Sequence, residues 1–322
     1  MRRREFIALT GASVAWPFAV LAQQSGRTYR LGCLFASGRV QELYDAFFEP
    51  ARRHGFIEGQ NLTVDLRDFS QHIDLLSSWA DELSKVRVDV IAAVGDLAIR
   101  TAQNATKTIP ILGMTDDMVG AGLVNSMARP DGNTTGVSIL ATELDGKRQE
   151  LLIEAVPGVR RMAALADFNR AAVKLEALQE TTRTRNIDLS IQRVARGDEI
   201  TVAIEEAKSS GAEALNVLAS PMLWAHRKLI MDRVAVLRLP ATYQFPEMAD
   251  EGGFVAYGPG LVELWREPYG RQLVRLLQGT AVIDIPVEQP TKFELVINLK
   301  TARAMGVTVP EPLLVRADKV IE

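Results

Sequence analysis

The feature of this sequence that most restricts its fold is a regular alternation of short β-rich runs with amphipathic helical stretches. Residues 29–36 are predicted to form a first strand, and apolar residues at fourfold spacing within 40–54 predict a helix. Four more strands are predicted at 62–69, 88–94, 109–113 and 135–139, with helices at 73–85 and 97–106. Strands that alternate with helices form parallel sheets with helical crossovers. These residues therefore predict one doubly wound α/β lobe.

A second series of the same kind begins after a helix predicted at 143–155. Its strands are predicted at 161–167, 188–194, 214–219, 240–243 and 254–257, and its helices at 171–185, 199–209, 222–237 and 247–251. The chain then continues through a helix at 261–277, a strand at 293–298 and a short helix that ends at Met305. A chain of 322 residues exceeds the usual size of one core, so two facing α/β lobes with a ligand cleft at the strand ends are predicted.

The predicted lobes are discontinuous in sequence because the chain has three candidate hinge crossings, at 135–141, 257–260 and 286–290. The N-terminal lobe is predicted to comprise residues 28–140 and 259–288, and the C-terminal lobe residues 141–258 and 289–322. Lobes connected in this way can close on a ligand by bending at the crossings.

The first 22 residues have the features of a cleavable export signal: three arginines, an apolar run at 6–21, and small residues before a cleavage point after Ala22. Arg3-Arg4-Glu5-Phe6-Ile7 also fits the twin-arginine pattern, and the Sec route is the alternative. A retained membrane anchor is the competing interpretation, but the apolar run is shorter than the ~20 residues of a membrane span. We therefore expect a soluble, periplasmic mature chain.

Charge and cysteine content narrow the class of protein further. Without residues 1–22 the chain has a net charge of −5, which gives no concentrated positive field for nucleic acid. Cys33 is the only cysteine and lies in an apolar run, so no internal disulfide forms and a buried apolar role is expected. Because Cys33 lies beyond the signal, it is not the lipid-bearing cysteine of a lipoprotein. We expect a freely soluble monomer.

Candidate ligand-binding residues of the N-terminal lobe directly follow predicted strands. Ser37 follows the first strand, where its hydroxyl can hold a carboxylate or cap the next helix, and both roles stay open. Gly95, Asp96 and Leu97 follow the strand 88–94 at the start of a helix. Asp96 can bind an ammonium group or only cap that helix and favour its dipole. Since an acid here repels a carboxylate, Asp96 favours an amino group of the ligand at this point.

Candidates in the C-terminal lobe also lie at or after strand ends. They are Asp167, Phe168, Asn169, Ser220, Tyr243, Glu247 and Tyr257. The ring of Phe168 can stack on a flat ligand. Glu247 can pair with an amino group, and a solvated acid in the first turn of a helix is its competing interpretation. Trp224 and His226 are expected to pack or cap within this lobe.

No residue pattern indicates catalysis or a bound metal. The three histidines have no second ligand at metal spacing, and the adjacent side chains of Asp116 and Asp117 diverge. The sequence has no Gly-x-Ser-x-Gly, no Gly-x-Gly-x-x-Gly and no phosphate-loop lysine. We therefore predict a binding protein without a cofactor. A secreted α/β enzyme is the alternative, since catalytic residues can come from distant parts of a chain.

Five stretches of the sequence resemble a known family. They are Val88-Asp-Val-Ile-Ala-Ala-Val-Gly95, Thr108-Ile-Pro-Ile111, Val119-Gly-Ala-Gly-Leu-Val124, Ala128-Arg-Pro-Asp-Gly-Asn-Thr-Thr-Gly136 and Glu288-Gln-Pro-Thr-Lys-Phe-Glu-Leu-Val-Ile-Asn-Leu-Lys300. Over residues 30–322 the chain is similar to the ABC transporter substrate-binding proteins typified by tryptophan-binding lipoproteins. This resemblance implies the type 1 periplasmic binding fold, with two Rossmann-like lobes and parallel sheets joined by three crossovers.

The resemblance also implies a function and two further site residues. The chain is expected to bind an amino acid or a related small carboxylate between its lobes and to dock on an ABC permease in the inner membrane. Asp117 is implied to be structural or to line the cleft, and Ser138 to face the ligand, with turn stabilisation as its competing role. A sensor domain that feeds a chemoreceptor or kinase is the alternative, whereas a transcription regulator is disfavoured by the signal at the N-terminus.

Overall fold

Two β-sheets covered by helices organise the chain, and the computed structural model describes residues 26–36, 38–70, 72–168 and 175–322. The strands of the first sheet are β1 (Tyr29–Phe35), β2 (Leu62–Asp68), β3 (Val90–Val94), β4 (Ile111–Thr115) and β5 (Thr134–Ser138). They lie in the order β2-β1-β3-β4-β5, and each neighbouring pair is parallel. This is the order of a doubly wound sheet, with a switch point between β1 and β3.

The second sheet repeats this order and extends it. Its strands are β6 (Arg161–Asp167), β7 (Asp188–Val194), β8 (Ala214–Val217), β9 (Ala241–Tyr243), β10 (Val255–Gly258), β11 (Glu294–Asn298) and β12 (Lys319–Ile321). Their spatial order is β7-β6-β8-β9-β10-β11-β12, so the switch point lies between β6 and β8. The predicted all-parallel sheet differs in one respect, since β11 is antiparallel to β10. After β10 the chain crosses to the first sheet, and when it re-enters the second sheet as β11 it runs in the opposite direction to β10.

Helices connect the strands of both sheets. Those before β10 are α1 (Gln41–Arg53), α2 (Leu76–Lys85), α3 (Asp96–Ala105), α4 (Ala141–Ala155), α5 (Leu175–Arg183), α6 (Ile200–Ser209), α7 (Pro221–Ala225), α8 (Arg227–Val236) and α9 (Pro246–Asp250). After β10 come α10 (Leu261–Leu264), a π-helix (Trp265–Gly270), α11 (Arg271–Leu277), α12 (Leu299–Met305) and α13 (Glu311–Val315). Short 3₁₀ turns lie at Ile73–Leu75, Gly197–Glu199 and Val282–Asp284. None of the described helices combines the length and apolar character that a membrane crossing requires.

The apolar patterns of the sequence account for the core. In α1 the fourfold set Leu43, Phe47 and Ala51 is buried against the first sheet, and Cys33 on β1 is fully buried beside it. Strands β4, β5 and β8 are buried at every position, as parallel strands covered on both faces should be.

Two helices differ from their predicted form. The stretch 222–237 is broken at His226, and α7 begins at Pro221 because the hydroxyl of Ser220 accepts hydrogen bonds from the N–H groups of Met222 and Leu223. The stretch 261–277 contains a wide π turn, because Pro268 has no N–H to donate to the carbonyl four residues earlier.

The chain passes between the two sheets three times: from β5 to α4, from β10 to α10, and from Glu288 to β11. At the third passage Glu288 pairs with β5, since Ser138 N donates to Glu288 O at 2.8 Å and Glu288 N donates to Gly136 O at 2.9 Å. The π-helix packs on the first sheet, where the Tyr269 hydroxyl donates to Leu112 O at 3.0 Å. The residue bounds of the two lobes stay a prediction.

Candidate functional site

A cavity of about 360 Å³ lies between the carboxyl ends of the strands of the two sheets. Segments that follow β1, β3 and β4 contribute one side, and segments that follow β6, β7, β8 and β9 contribute the other. Both switch points therefore open on this cavity, the usual position of a ligand in a doubly wound fold. The predicted residues that line it are Gly95, Asp96, Leu97, Asp167 and Ser220.

Aromatic side chains form much of the cavity wall. They are Phe35, Phe69, Trp224, Phe245 and Trp265. The indole of Trp265 is held edge-on by the ring of Phe35 at 5.2 Å and by the ring of Tyr269 at 5.5 Å between centroids. Trp265 opens the π-helix, and the wide turn directs this residue between the core and the cavity. This aromatic part of the wall suits a flat or apolar part of a ligand.

Trp224 lines the cavity wall, whereas the sequence predicted that it packs or caps within its own lobe. The guanidinium of Arg227 lies 4.4 Å from the centre of the Trp224 ring. Two hydrogen bonds from Arg227 to the carboxylate of Glu251, at 2.7 and 2.9 Å, hold the guanidinium in place. The indole is therefore fixed from behind by a charged pair.

The polar side chains on the first-sheet side of the cavity are those of Ser70, Asp96, Thr115 and Asp116. Asp96 is the first residue of α3, and its carboxylate accepts a hydrogen bond from the Thr115 hydroxyl at the end of β4. The backbone carbonyl of Asp116 accepts from Leu140 N at 2.8 Å, just before α4 begins. This side of the cavity is therefore tied to the first passage between the sheets.

On the second-sheet side, Asp167 and Ser220 span the switch point. The Ser220 hydroxyl donates to Asp167 Oδ2 at 2.6 Å, which links the ends of β6 and β8. The Ser220 hydroxyl oxygen also accepts a hydrogen bond from Met222 N at 3.1 Å and so caps α7. Ser220 thus has the capping role that a residue before Pro221 predicts, and it also fixes a cavity carboxylate.

The loop after β7 adds Arg196 and Asp198 to the cavity, and neither residue was predicted from the sequence. Arg196 donates two hydrogen bonds to the Asp198 carboxylate, at 3.0 and 2.9 Å, and this contact lowers the pKa of Asp198. The His226 ring lies against Gly197 in the same loop. Its position directly after the end of β7 is the sequence feature from which this loop could have been predicted to line the cavity.

The electrostatic character of the cavity is acidic. Among the described lining residues, four carboxylates, from Asp96, Asp116, Asp167 and Asp198, accompany one guanidinium, from Arg196. A cavity with excess carboxylate and an apolar wall can hold an ammonium group together with an apolar side chain. In the described part of the chain, no group of three or more His, Cys, Asp or Glu residues is placed to hold a metal ion.

The two sides of the cavity meet at Gly95 and Pro221. Gly95 has φ +94°, and a Cβ atom at this position would lie 3.1 Å from Pro221 Cγ. The loop before α3 and the start of α7 are therefore in close contact across the cavity. Only a residue without a side chain fits this conformation and this approach without strain.

Three predicted site residues lie outside the wall that the described residues form and have structural contacts. Asp117 accepts from Gly120 N at 2.8 Å within a turn. The Ser138 side chain is fully buried, accepts from Met118 N at 3.2 Å and donates to Asp116 O at 3.1 Å, so it stabilises the turn beside the cavity. Tyr243 is also fully buried, and burial raises the pKa of its hydroxyl.

The remaining predicted residues are also away from the described wall or outside the described residues. The Phe168 side chain is 64% exposed, and the Tyr257 ring packs near the ring of Phe293 at 6.3 Å. Ser37 and Asn169 lie outside the described residues. The roles of all the predicted residues in ligand binding stay predictions.

Glu247 lies at the second passage between the sheets, and its titration gives a testable pH effect. Its Oε1 accepts from Val262 N at 3.2 Å near the start of α10, and Oε2 has no partner among the described residues. Burial raises the pKa of Glu247 above its ordinary value of 4.5; the N–H groups of Val262 and Leu261 oppose this shift, and Glu42 on α1 adds to it.

Glu247→Gln is expected to reduce the loss of stability with rising pH. The folded protein binds this proton more tightly than the unfolded chain, so the free energy of unfolding falls as pH rises from 4.5 through the raised pKa. Urea unfolding between about pH 4 and about pH 8 should show a smaller fall for E247Q than for the wild type. E263Q, which removes the same charge at an exposed position, is the control. If the free energy of unfolding falls with pH as steeply in E247Q as in the wild type, the predicted effect is refuted.

Two doubly wound sheets that enclose a cavity at their facing strand ends define the type 1 periplasmic binding fold. The chain belongs to the ABC transporter substrate binding protein family, whose family model matches residues 39–321. This confirms the resemblance drawn from the sequence. The family is one of substrate-binding proteins and not of enzymes.

Relatives and solved structures agree with this assignment. The tyrosine-binding protein of Clostridioides difficile (strain R20291) is 26% identical over 268 residues, which cover 80% of this chain and 75% of that protein. The ABC domain of Streptococcus pneumoniae in complex with L-Trp is 22% identical with a TM-score of 0.80, over 91% of this chain and 100% of that one. A conserved domain protein of Vibrio cholerae is 20% identical with a TM-score of 0.82, over the same shares of the two chains. These structures share the fold.

Proposed function

We propose that this chain is the exported, periplasmic solute-binding component of an ABC importer, and that it binds an amino acid with an apolar or aromatic side chain. The observation that carries the proposal is the cavity of about 360 Å³ between the two sheets, with an aromatic wall and a set of carboxylates. The names of the tyrosine-binding relative and of the L-Trp complex agree in ligand class.

The carboxylates of the cavity suit the ammonium group of such a ligand, and the aromatic wall suits its side chain. An ammonium group bound at Asp96 and Asp116 would form charge-assisted hydrogen bonds, which are the strongest polar contacts available there. The side chain would then lie against Phe35, Trp224 and Trp265.

Binding between two lobes also provides a mechanism for transport. The lobes, 28–140 with 259–288 and 141–258 with 289–322, would close about the three passages when ligand contacts form on both sides. The closed form would present a surface composed of both lobes to a permease in the inner membrane. The signal at residues 1–22, by the twin-arginine or the Sec route, would place the monomer in the periplasm.

The proposal predicts selective stabilisation by amino acids. We expect L-Tyr, L-Trp or L-Phe to raise the melting temperature of the purified protein and to bind in calorimetry. Analogues that lack the amino group should bind at least about 10-fold more weakly, because a charge-assisted contact is lost. D96N should weaken binding by about 10- to 100-fold for the same reason.

The matched control is D117N, since Asp117 lies one residue after cavity residue Asp116 but outside the described wall. D117N should keep the wild-type affinity. No stabilisation by any amino acid would refute the ligand class, and equal affinity of D96N and the wild type would refute the position of the ammonium group. Recovery of a chemically changed ligand would favour the enzyme alternative over a binding protein.

A further inference from the structure

A buried ion pair lies on α4, outside the lining of the cavity. Asp145 and Arg148 are one helical turn apart, each side chain is 1% exposed, and Arg148 Nη1 lies 2.5 Å from Asp145 Oδ1. Removing two charges from water is costly, and such a pair gives little net stability compared with apolar residues of similar size. Its presence in the core therefore calls for a role other than stability.

The pair binds backbone groups at the carboxyl ends of three strands. Arg148 Nε donates to Tyr257 O at 2.7 Å, and its Nη2 lies 3.5 Å from Gln244 O. Asp145 Oδ1 accepts from Ala219 N at 3.2 Å. The ends of β8, β9 and β10 are thus held by one pair of side chains on a single helix turn.

These strand ends are the places where the second sheet meets the cavity and the second passage. Ala219 and Gln244 line the cavity, and Tyr257 is followed within a few residues by α10, which contributes Leu261. Helix α4 itself starts directly after the first passage, where Leu140 N donates to the backbone of cavity residue Asp116. The pair therefore connects one side of the cavity to two of the three passages.

We propose that Asp145 and Arg148 are positioning residues for ligand binding, which fix the backbone of the cavity on the second-sheet side and its junction with α10 without touching the ligand. The effect on affinity rests on the function proposed above. The backbone effect rests only on the contacts of this pair. The fork of the guanidinium reaches Asp145 and the two carbonyls from one side chain, which a lysine ammonium cannot do.

The test separates positioning from stability with a double variant. R148M alone leaves a buried carboxylate without its cation, which is strongly destabilising, so the informative protein is D145N/R148M, which removes both charges and is expected to remain folded. We expect it to bind the best amino acid of the screen at least about 10-fold more weakly than the wild type. Hydrogen exchange of the ligand-free protein should become faster at 216–220, 243–245 and 257–261 and stay unchanged in the first sheet.

The matched control is K147M/E150Q, which removes a solvent-facing pair with the same spacing on the same helix, Lys147 Nζ to Glu150 Oε2 at 3.2 Å. It should leave both affinity and exchange unchanged. Wild-type affinity and wild-type exchange in folded D145N/R148M would overturn the proposal. If the wild type binds no amino acid, the proposed function is wrong, and the exchange measurement still decides whether the pair positions the backbone.

Discussion

Replacing Gly136 by alanine is expected to destabilise the first sheet strongly. Gly136 on β5 lies directly opposite Gly113 on β4 and has φ +148°. A Cβ atom at Gly136 would overlap the carbonyl oxygen of Gly113 and lie 2.6 Å from its carbonyl carbon, so relief requires the two strands to separate. Backbone strain and overpacking together should cost at least ~3 kcal/mol of the free energy of unfolding. Circular dichroism during urea unfolding measures this loss.

The partner glycine provides the control for this prediction. A Cβ at Gly113 would meet the ends of two flexible side chains, Ile99 Cδ1 at 2.9 Å and Met118 Cε at 3.0 Å. G113A should therefore cost less, about 1–2 kcal/mol, because side chains can move where a backbone cannot. If G136A unfolds at the same urea concentration as the wild type, or if G113A is the more damaging change, the predicted strand contact is wrong.

Replacing Gly95 by alanine is expected to weaken ligand binding. The new methyl group would press on Pro221 across the cavity, at 3.1 Å from its Cγ, and would hold the two sides apart by a few tenths of an ångström. Alanine is also strained at φ +94° and ψ 151°, by about 1–3 kcal/mol. We expect affinity for the ligand found by screening to fall at least about 10-fold, as measured by calorimetry.

Gly252 is the matched control, because it has φ +116° but open space around it and lies between α9 and β10, outside the described cavity wall. G252A should lose stability through backbone strain and keep its ligand affinity. P221A, which removes the opposing ring and keeps Gly95, should bind more tightly than G95A. Wild-type affinity in G95A would show that ligand binding does not depend on this contact.

Much of the fold follows from local patterns in the sequence. β6 and β7 have the predicted bounds, because short apolar runs between polar turns identify buried strands well. β12 was not predicted, since Lys319–Ile321 is short and forms only by pairing with β11. The π-helix was not predicted either, because Pro268 signals a disturbed helix but not the form that the disturbance takes.

The cavity was only partly predictable, and the reason is side-chain direction. Strand ends identify the correct edge of each sheet, which is why Asp96, Asp167 and Ser220 line the cavity. The pattern does not show which way a residue points when both faces of a strand are buried, and Tyr243 on β9 points into the core. The aromatic wall includes Trp265, whose contribution depends on helix packing from a distant part of the chain.

The Asp145–Arg148 pair shows a further limit of sequence patterns. Two opposite charges at a spacing of three residues usually indicate a solvent-facing helix, as Lys147 and Glu150 do on the same element. Nothing local distinguishes the two pairs. The difference arises because one face of α4 covers the ends of β8, β9 and β10, a contact between residues up to 109 positions apart.

The buried position of Cys33 makes the protein well suited to site-specific labelling. The thiolate is the reactive form of cysteine, and burial in the core raises the pKa of the Cys33 thiol while excluding reagents. As Cys33 is the only cysteine, new surface cysteines, one on each lobe, should react with maleimide dyes without removal of the native residue. Energy transfer between two such dyes would then report whether ligand binding changes the distance between the lobes of single molecules on an otherwise native chain.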